Sequence, residues 1–338
     1  MTADGLARIN WSALAGVPAE MARRRSAKLR ASPAAFRDHL LIDNNGRFEL
    51  LGDVMAPFQR ADFAAQDAAW CKIAGAPPPA GVDPNADIVQ QFYAERPRGH
   101  SKTTDQACSV LWAIWASVKK LNGFAVAASK EQAGFLANAV DTLIRANPWI
   151  GETVDRNKWV ISNRRTGSTC KILSSDSATS YGATPDFVIV DELTHWKKQD
   201  LWTATFSGTA KRANCLLAVI ANAGYGQGTS WQWSVREGAR TDPENWYFNT
   251  LPGPVAPWIT PKKLAQQRRS MPPTEYRRLW ENLWIEGGMS ALNLDDFRAC
   301  ITLRHWPTAN LWVPAVAGID LALTHDHAAL VILGIDVH

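Results

Sequence analysis

Residues 187–190 and 216–220 are unbroken apolar runs set between segments whose apolar positions recur with helical spacing. Short continuous runs of this kind predict strands buried on both faces of a parallel sheet. Residues 124–128 read as a further strand, and a strand ending near Tyr93 leads into a loop at 96–104. Good helix formers run from about 102 to 120. Ser129 is placed to cap a second helix over 130–145, with Phe135, Leu136, Val140, Leu143 and Ile144 on one face and Pro148 ending it. Residues 159–161 and 170–173 predict an antiparallel pair across a loop containing Gly167. Strands alternating with helices argue for a three-layer α/β domain. The Ala- and Arg-rich first fifty residues predict helices ahead of it, and 77–81 is a loop by composition. From 260 to about 304 the pattern turns helical and basic, and two strands follow, at 313–322 and 328–335, around Thr324-His325-Asp326-His327.

Composition narrows this picture without redirecting it. At 338 residues the chain holds one large domain or two ordinary ones, and 46% hydrophobic with 20% charged residues is the balance of a soluble globular protein. No apolar run reaches the length needed to span a bilayer, 215–221 being far too short, and the N-terminus lacks the basic-then-apolar pattern of a secretion signal, so an intracellular protein without membrane contact is expected. The five cysteines are widely spaced and form no CxxC, which favours buried thiols over metal or disulfide roles. A net charge of +4 does not by itself imply nucleic acid. The clusters Arg23-Arg24-Arg25 with Lys28 and Arg30, Arg164-Arg165, Arg268-Arg269 and Arg277-Arg278 read first as solvated faces and second as phosphate contacts. The sixteen tryptophans read first as core and interdomain packing and second as platforms for base stacking.

The chemistry lies in two segments. Arg96-Pro97-Arg98-Gly99-His100-Ser101-Lys102-Thr103-Thr104 reads as a phosphate-gripping loop that opens a helix, where backbone N–H groups, the helix N-terminus and a lysine oppose triphosphate charge. Lys102 is placed for the β/γ-phosphates and the Thr103 hydroxyl for Mg²⁺. The match to G-x-x-x-x-G-K-[ST] is partial, because Arg96 and Ser101 stand where the glycines would be and Gly99 alone remains. The second segment, Phe187-Val188-Ile189-Val190-Asp191-Glu192, puts Asp191 at the C-terminal end of a buried strand, where open α/β sheets bind ligands. Asp191 can hold Mg²⁺, and Glu192 can orient and deprotonate an attacking water. Either segment alone reads as an ordinary turn; the pair in this order predicts ATP hydrolysis. A third strand ends in Ala221-Asn222-Ala223-Gly224, where Asn222 is a candidate γ-phosphate sensor or part of a plain glycine turn. Upstream, Pro57-Phe58-Gln59 offers a carboxamide for an adenine edge, or a structural glutamine.

Together these residues resemble the large terminase subunit of tailed bacteriophages, the DNA-packaging motor, from about Val54 to the end of the chain. Arg98 is similar to an arginine the family keeps four residues before the lysine. The segment from Leu173-Ser174-Ser175-Asp176-Ser177 through Gly182 and Asp186 to Asp191-Glu192-Leu193-Thr194-His195-Trp196 carries the most specific likeness. Ala127-Ala128-Ser129-Lys130-Glu131-Gln132-Ala133 resembles the strand-to-helix stretch after the loop. Tyr276-Arg277-Arg278-Leu279-Trp280-Glu281-Asn282-Leu283-Trp284 resembles the helix before the family's linker, and Gly318-Ile319-Asp320-Leu321 the first strand of its ribonuclease-H-like nuclease.

The resemblance implies a P-loop NTPase sandwich at 51–258, preceded by a helical segment at 1–50 and followed by a helical linker at 259–312 and an incomplete nuclease domain at 313–338. It implies that Lys102, Arg98 and Glu192 are catalytic, that Gln59, Arg98, Gly99, His100, Ser101, Lys102, Thr103, Thr104 and Asn222 contact ATP, and that Thr103 and Asp191 hold Mg²⁺. Asp320 would be the first ligand of a two-metal nuclease site, with Asp326 a second acidic position. Because two-metal hydrolysis needs carboxylates from more strands than follow here, this chain is expected not to cut DNA. Implied partners are double-stranded DNA, a portal protein, a small terminase subunit and further copies in a ring, in the host cytoplasm. Arg164, Arg165 and Arg212 are candidates for an arginine acting in trans. The alternatives are another P-loop DNA-dependent ATPase or helicase, and a non-catalytic DNA- or capsid-binding remnant.

Overall fold

A computed structural model describes residues 19–44, 46–174, 184–286, 315–320 and 329–334, in two compact units, 1–288 and 289–338. The first unit is organised by a sheet whose strands stand in the order β10-β3-β9-β8-β4-β7-β6-β5. Here β3 is Gln91–Glu95, β4 Asn122–Ala127, β5 Val154–Asn157, β6 Val160–Asn163, β7 Thr169–Ser174, β8 Phe187–Asp191, β9 Leu216–Ala221 and β10 Trp246–Thr250, after a hairpin of β1 (Leu41–Asn44) and β2 (Arg47–Leu50). All neighbours from β10 to β7 pair in parallel, and only β6 and β5 turn antiparallel at one edge.

The two apolar runs become β8 and β9, buried at every position. Alternation along β8 sends Phe187 and Ile189 into the core on one face and Val188 and Val190 into the core on the other. This is why the run shows no polar partner positions. The helix Lys102–Ala116 lies against the first face, with Val110, Leu111, Trp112, Ala113 and Ile114 inaccessible. Trp70, Trp112 and Trp196 are fully buried, as core packing predicted. Cys71, Cys108, Cys170 and Cys215 are buried free thiols; Cys300 lies outside the described residues.

Several expectations shift in detail. The helix after the loop ends at Ala116, not near 120. Ser129 does cap the helix Lys130–Ala146, accepting from Gln132 N at 3.2 Å. The first fifty residues are not wholly helical: Ala19–Ala31 and Pro33–Asp38 are helices, but β1 and β2 follow as an antiparallel hairpin. Gly46 makes its turn at φ +83°, a conformation that favours glycine. The antiparallel β6–β7 pair is present, with β5 added outside it. In the second unit β11 (Ala315–Asp320) and β12 (Ala329–Gly334) pair antiparallel, matching the two predicted strands. Asp326, His325 and His327 lie outside the described residues, as does the stretch 175–183. Among the described residues no helix is long and apolar enough to cross a membrane.

Candidate nucleotide site

Because β9 is inserted between β3 and β8, three parallel strand tips converge: the root of the 96–104 loop, Asn222, and the Asp191-Glu192 pair. Lys102, the first residue of its helix, reaches into this convergence. Its Nζ donates to Asn222 Oδ1 at 2.8 Å and to the Arg96 and Pro97 carbonyls at 3.1 and 3.3 Å, and stands 3.4 Å from Glu192 Oε1. Burial pushes the ammonium below its usual range against the pull of Glu192. The Thr103 hydroxyl donates to Asp191 Oδ2 at 3.4 Å, so the two residues read as metal ligands share one side of the site. The other Asp191 oxygen, Oδ1, is buried without a partner. Burial first and the Glu192 charge second push its carboxyl up to about 7. Glu192 itself sits at φ +50°, a left-handed conformation costly for a side chain that bears a Cβ, and its Oε2 accepts from Asn222 N at 3.3 Å.

The 96–104 loop is held from outside its own sequence. Arg96, at the place of the first glycine, is buried; its Nε and Nη2 reach Asp62 Oδ2 at 2.9 and 2.6 Å, and its Nη1 reaches Asp105 Oδ2 at 2.6 Å. Asp62 Oδ1 accepts from Tyr247 and Asn249, and Asp105 Oδ1 from Gln59 and Ser101, so all four carboxylate oxygens are satisfied. His100 is buried and neutral in this arrangement. Its Nε2 accepts from the Val255 and Ala256 amides while Nδ1 donates to the Arg98 carbonyl, and burial lowers its pKa. Gly99 and Ser101 take positive φ, +75° and +57°, which places Ser101 in the conformation a second glycine would supply.

The predicted residues divide accordingly. Lys102, Thr103, Asp191, Glu192 and Asn222 meet at one point. Arg98 and Thr104 are exposed beside it. The His100 side chain is turned into the protein, leaving only its backbone for a ligand. The Gln59 amide is engaged internally on both sides, its Oε1 by Ala56 N and its Nε2 by Asp105. Even so, it lines a cleft of about 420 Å³ beside the loop together with Gly99, Ser101, Thr104, Asp105 and Trp258. Asp320 closes β11 in the second unit, away in sequence from all of these. Arg165 bonds the Ser117 carbonyl, Arg164 pairs with Asp155, and Arg212 pairs with Asp186 at the start of β8. All three therefore lie at the end of the sheet opposite the strand tips of their own chain.

The sequence reading missed Asp62, Asp105 and Trp258. Asp105 did carry a signal, a carboxylate in the first turn of the loop's helix. Asp62, three residues after Gln59 on one helix, carried a fainter one. Trp258, whose indole donates to the Gly99 carbonyl at 2.8 Å, carried none.

Residues 85–234 match the family "Terminase large subunit, ATPase domain". Comparison with curated protein sequences finds no match. Among solved structures, the large terminase of bacteriophage HK97 is similar at 20% identity and a TM-score of 0.60, over 91% of this chain and 64% of that one. The large terminase ATPase domain of Thermus phage P74-26 has 15% identity and a TM-score of 0.47, over 63% of this chain and 97% of that one. The large terminase of another thermophilic bacteriophage, in complex with ADP, has 13% identity and a TM-score of 0.48, over 79% and 65%. The fold likeness rests on the first of these; this chain spans 64% of the length of the HK97 protein. The mainly parallel α/β sheet is thus a fold shared with the HK97 large terminase, and residues 85–234 carry the likeness to the terminase large subunit ATPase domain family.

Proposed function

We propose that this chain hydrolyses ATP with Mg²⁺ and is the motor portion of a machine that moves double-stranded DNA into a viral capsid. The observation that carries the reading is the meeting of Lys102, Asn222, Glu192, Thr103 and Asp191 at three adjacent strand tips. The residues fit a metal: Asp191 keeps a buried carboxylate oxygen without a hydrogen-bond partner beside the Thr103 hydroxyl, a donor set of hard oxygens suited to Mg²⁺. Thr103 and Asp191 would hold the ion, which when bound neutralises phosphate charge.

The protein's own groups supply the rest. Backbone N–H groups of the loop and the helix N-terminus receive phosphate oxygens, and Lys102 exchanges its carbonyl partners for them. Arg98, exposed at the loop's rim, adds a second cation. Glu192 takes a proton from the water that attacks the γ-phosphorus; the bond to the bridging oxygen breaks, leaving ADP and inorganic phosphate. Asn222, bonded to Lys102 by its side chain and to Glu192 by its backbone, senses whether the γ-phosphate is present. The cleft beside Gln59 and Trp258 is of a size to accept the nucleoside. Strands β11 and β12 would belong to a ribonuclease-H-like domain, with Asp320 as one of its metal ligands. Portal, small subunit and ring neighbours belong to that same assembly, with the trans arginine drawn from Arg164, Arg165 and Arg212.

Steady-state ATP hydrolysis with Mg²⁺, comparing the chain with Glu192→Gln, tests the site. Turnover present in the parent and lost in the variant, with ATP binding kept in both, is the expected result. Absence of ATP binding in the parent overturns the reading.

A further inference from the structure

Beyond the groups that touch nucleotide, a segment from the far end of the first unit is stitched to the strand tips. Leu279 accepts the Arg98 amide of the phosphate loop at 2.7 Å. Ile285 N donates to the Gly224 carbonyl at 3.1 Å, and the Gly226 amide returns a bond to Ile285 at 2.9 Å. The Trp284 indole donates to Glu95 Oε2 at 2.7 Å. A Cβ on Gly224 would stand 2.9 Å from the Trp284 ring, so the approach is close.

Asn282 lies at the middle of this segment. It is 6% exposed and at φ +56°, a left-handed conformation that asparagine tolerates better than most residues but that persists only where its surroundings fix it. Its Oδ1 accepts from Ala223 N at 3.0 Å, next to Asn222. Its Nδ2 faces the Leu251 carbonyl at 3.0 Å, the Glu95 carbonyl at 3.2 Å and Thr250 Oγ1 at 3.4 Å. One amide thus joins the residue after the proposed γ-phosphate sensor to the residue before the phosphate loop. Arg96 N, immediately after Glu95, is bonded in turn to the Ala221 carbonyl at 2.9 Å.

We propose that Asn282 is a positioning residue for hydrolysis: it fixes the register between the β9 tip that carries Asn222 and the root of the phosphate loop, and passes movement of that tip to residues 283–286. This rests on reading the site as a nucleotide-hydrolysing one. Asn282 touches no reacting atom and acts through Ala223 and Glu95, so its loss slows the chemical step while ATP still binds.

The experiment uses the whole chain and Asn282→Gly, which removes the amide and keeps the left-handed backbone. Rates are measured over a range of MgATP, and amide hydrogen exchange at 283–286 is followed with and without MgADP. The expected result is a kcat at least ~10-fold lower with KM within about 2-fold, together with loss of the nucleotide-dependent exchange change seen in the parent. Gly224→Ala, which pushes Trp284 from the tip, should reproduce the kcat loss if Asn282→Gly fails to fold. Unchanged kcat in a folded variant, or an exchange response that survives it, overturns the proposal. So does a parent that turns over ATP without any exchange response at 283–286. A parent that neither binds nor hydrolyses ATP overturns the site reading itself, and this inference with it.

Discussion

The two halves of the proposed nucleotide site are made in different ways. The Asp191-Glu192 half is the end of β8, whose residues are all buried, and it follows from one short apolar run. Full burial of each Val, Ile or Phe is worth roughly 1.5–3 kcal/mol, enough for the run to specify the strand and hence where its carboxylates emerge. The 96–104 half has no such local drive. Two of its residues take left-handed backbone, its Arg96 is buried, and its histidine faces inward. It is held by Asp62 and Gln59 from a preceding helix, Asp105 from the following one, Tyr247 and Asn249 from β10, and the 255–258 stretch. A strand tip needs only its strand, whereas this loop needs much of the domain.

The contrast can be broken first at Lys102, which belongs to both halves. Lys102→Ala should take ATP turnover to background while the circular dichroism spectrum stays that of the parent; surviving turnover would move the site elsewhere. Next in size is Arg96→Ala, which leaves Asp62 and Asp105 as buried carboxylates without their cation. Such a loss costs roughly 3–5 kcal/mol, read as a lower midpoint in urea, with ATP binding lost alongside. A change under ~1 kcal/mol would mean that the network does not hold the loop. On the strand side Glu192→Gln should separate the two properties, lowering turnover by at least ~10² through loss of the general base while unfolding and ATP affinity stay near the parent's. Equal losses of binding and turnover would make Glu192 structural instead. The smallest effect is expected from Ser101→Gly. It relieves a left-handed residue at roughly 1–2 kcal/mol and removes the hydrogen bond to Asp105 at about 1 kcal/mol. The net should stay within ~1 kcal/mol in denaturant unfolding, and a larger loss would mean that the serine hydroxyl outweighs the relief of its backbone.

Much of the fold was legible along the chain for the same reason that the strand tip was. Continuous apolar runs, the Ser129 cap and the Gly167 hairpin each act over a few residues, and each stands where the pattern placed it. The β1–β2 hairpin was missed because Ala- and Arg-rich composition outweighed a short alternation around Gly46. Arg96 read as a departure from a glycine motif, since nothing nearby in sequence announces two carboxylates 34 residues before it and 9 after it. Gln59 was picked out for adenine, and its internal bonds to Ala56 and Asp105 come from a helix meeting that no local pattern encodes.

The sequence by itself determined the parallel strands, the helix that begins at Lys102, and the presence of a lysine, a threonine and two carboxylates in the order phosphoryl transfer needs. Those are matters of spacing and burial, carried by short-range contacts. Only the tertiary structure decided that β9 lies between β3 and β8, bringing Asn222 to 2.8 Å from Lys102, and that Asn282 ties both tips together. Strand order and buried hydrogen bonds are settled by long-range packing, where polar groups withdrawn from water must find whatever partners the fold brings to them.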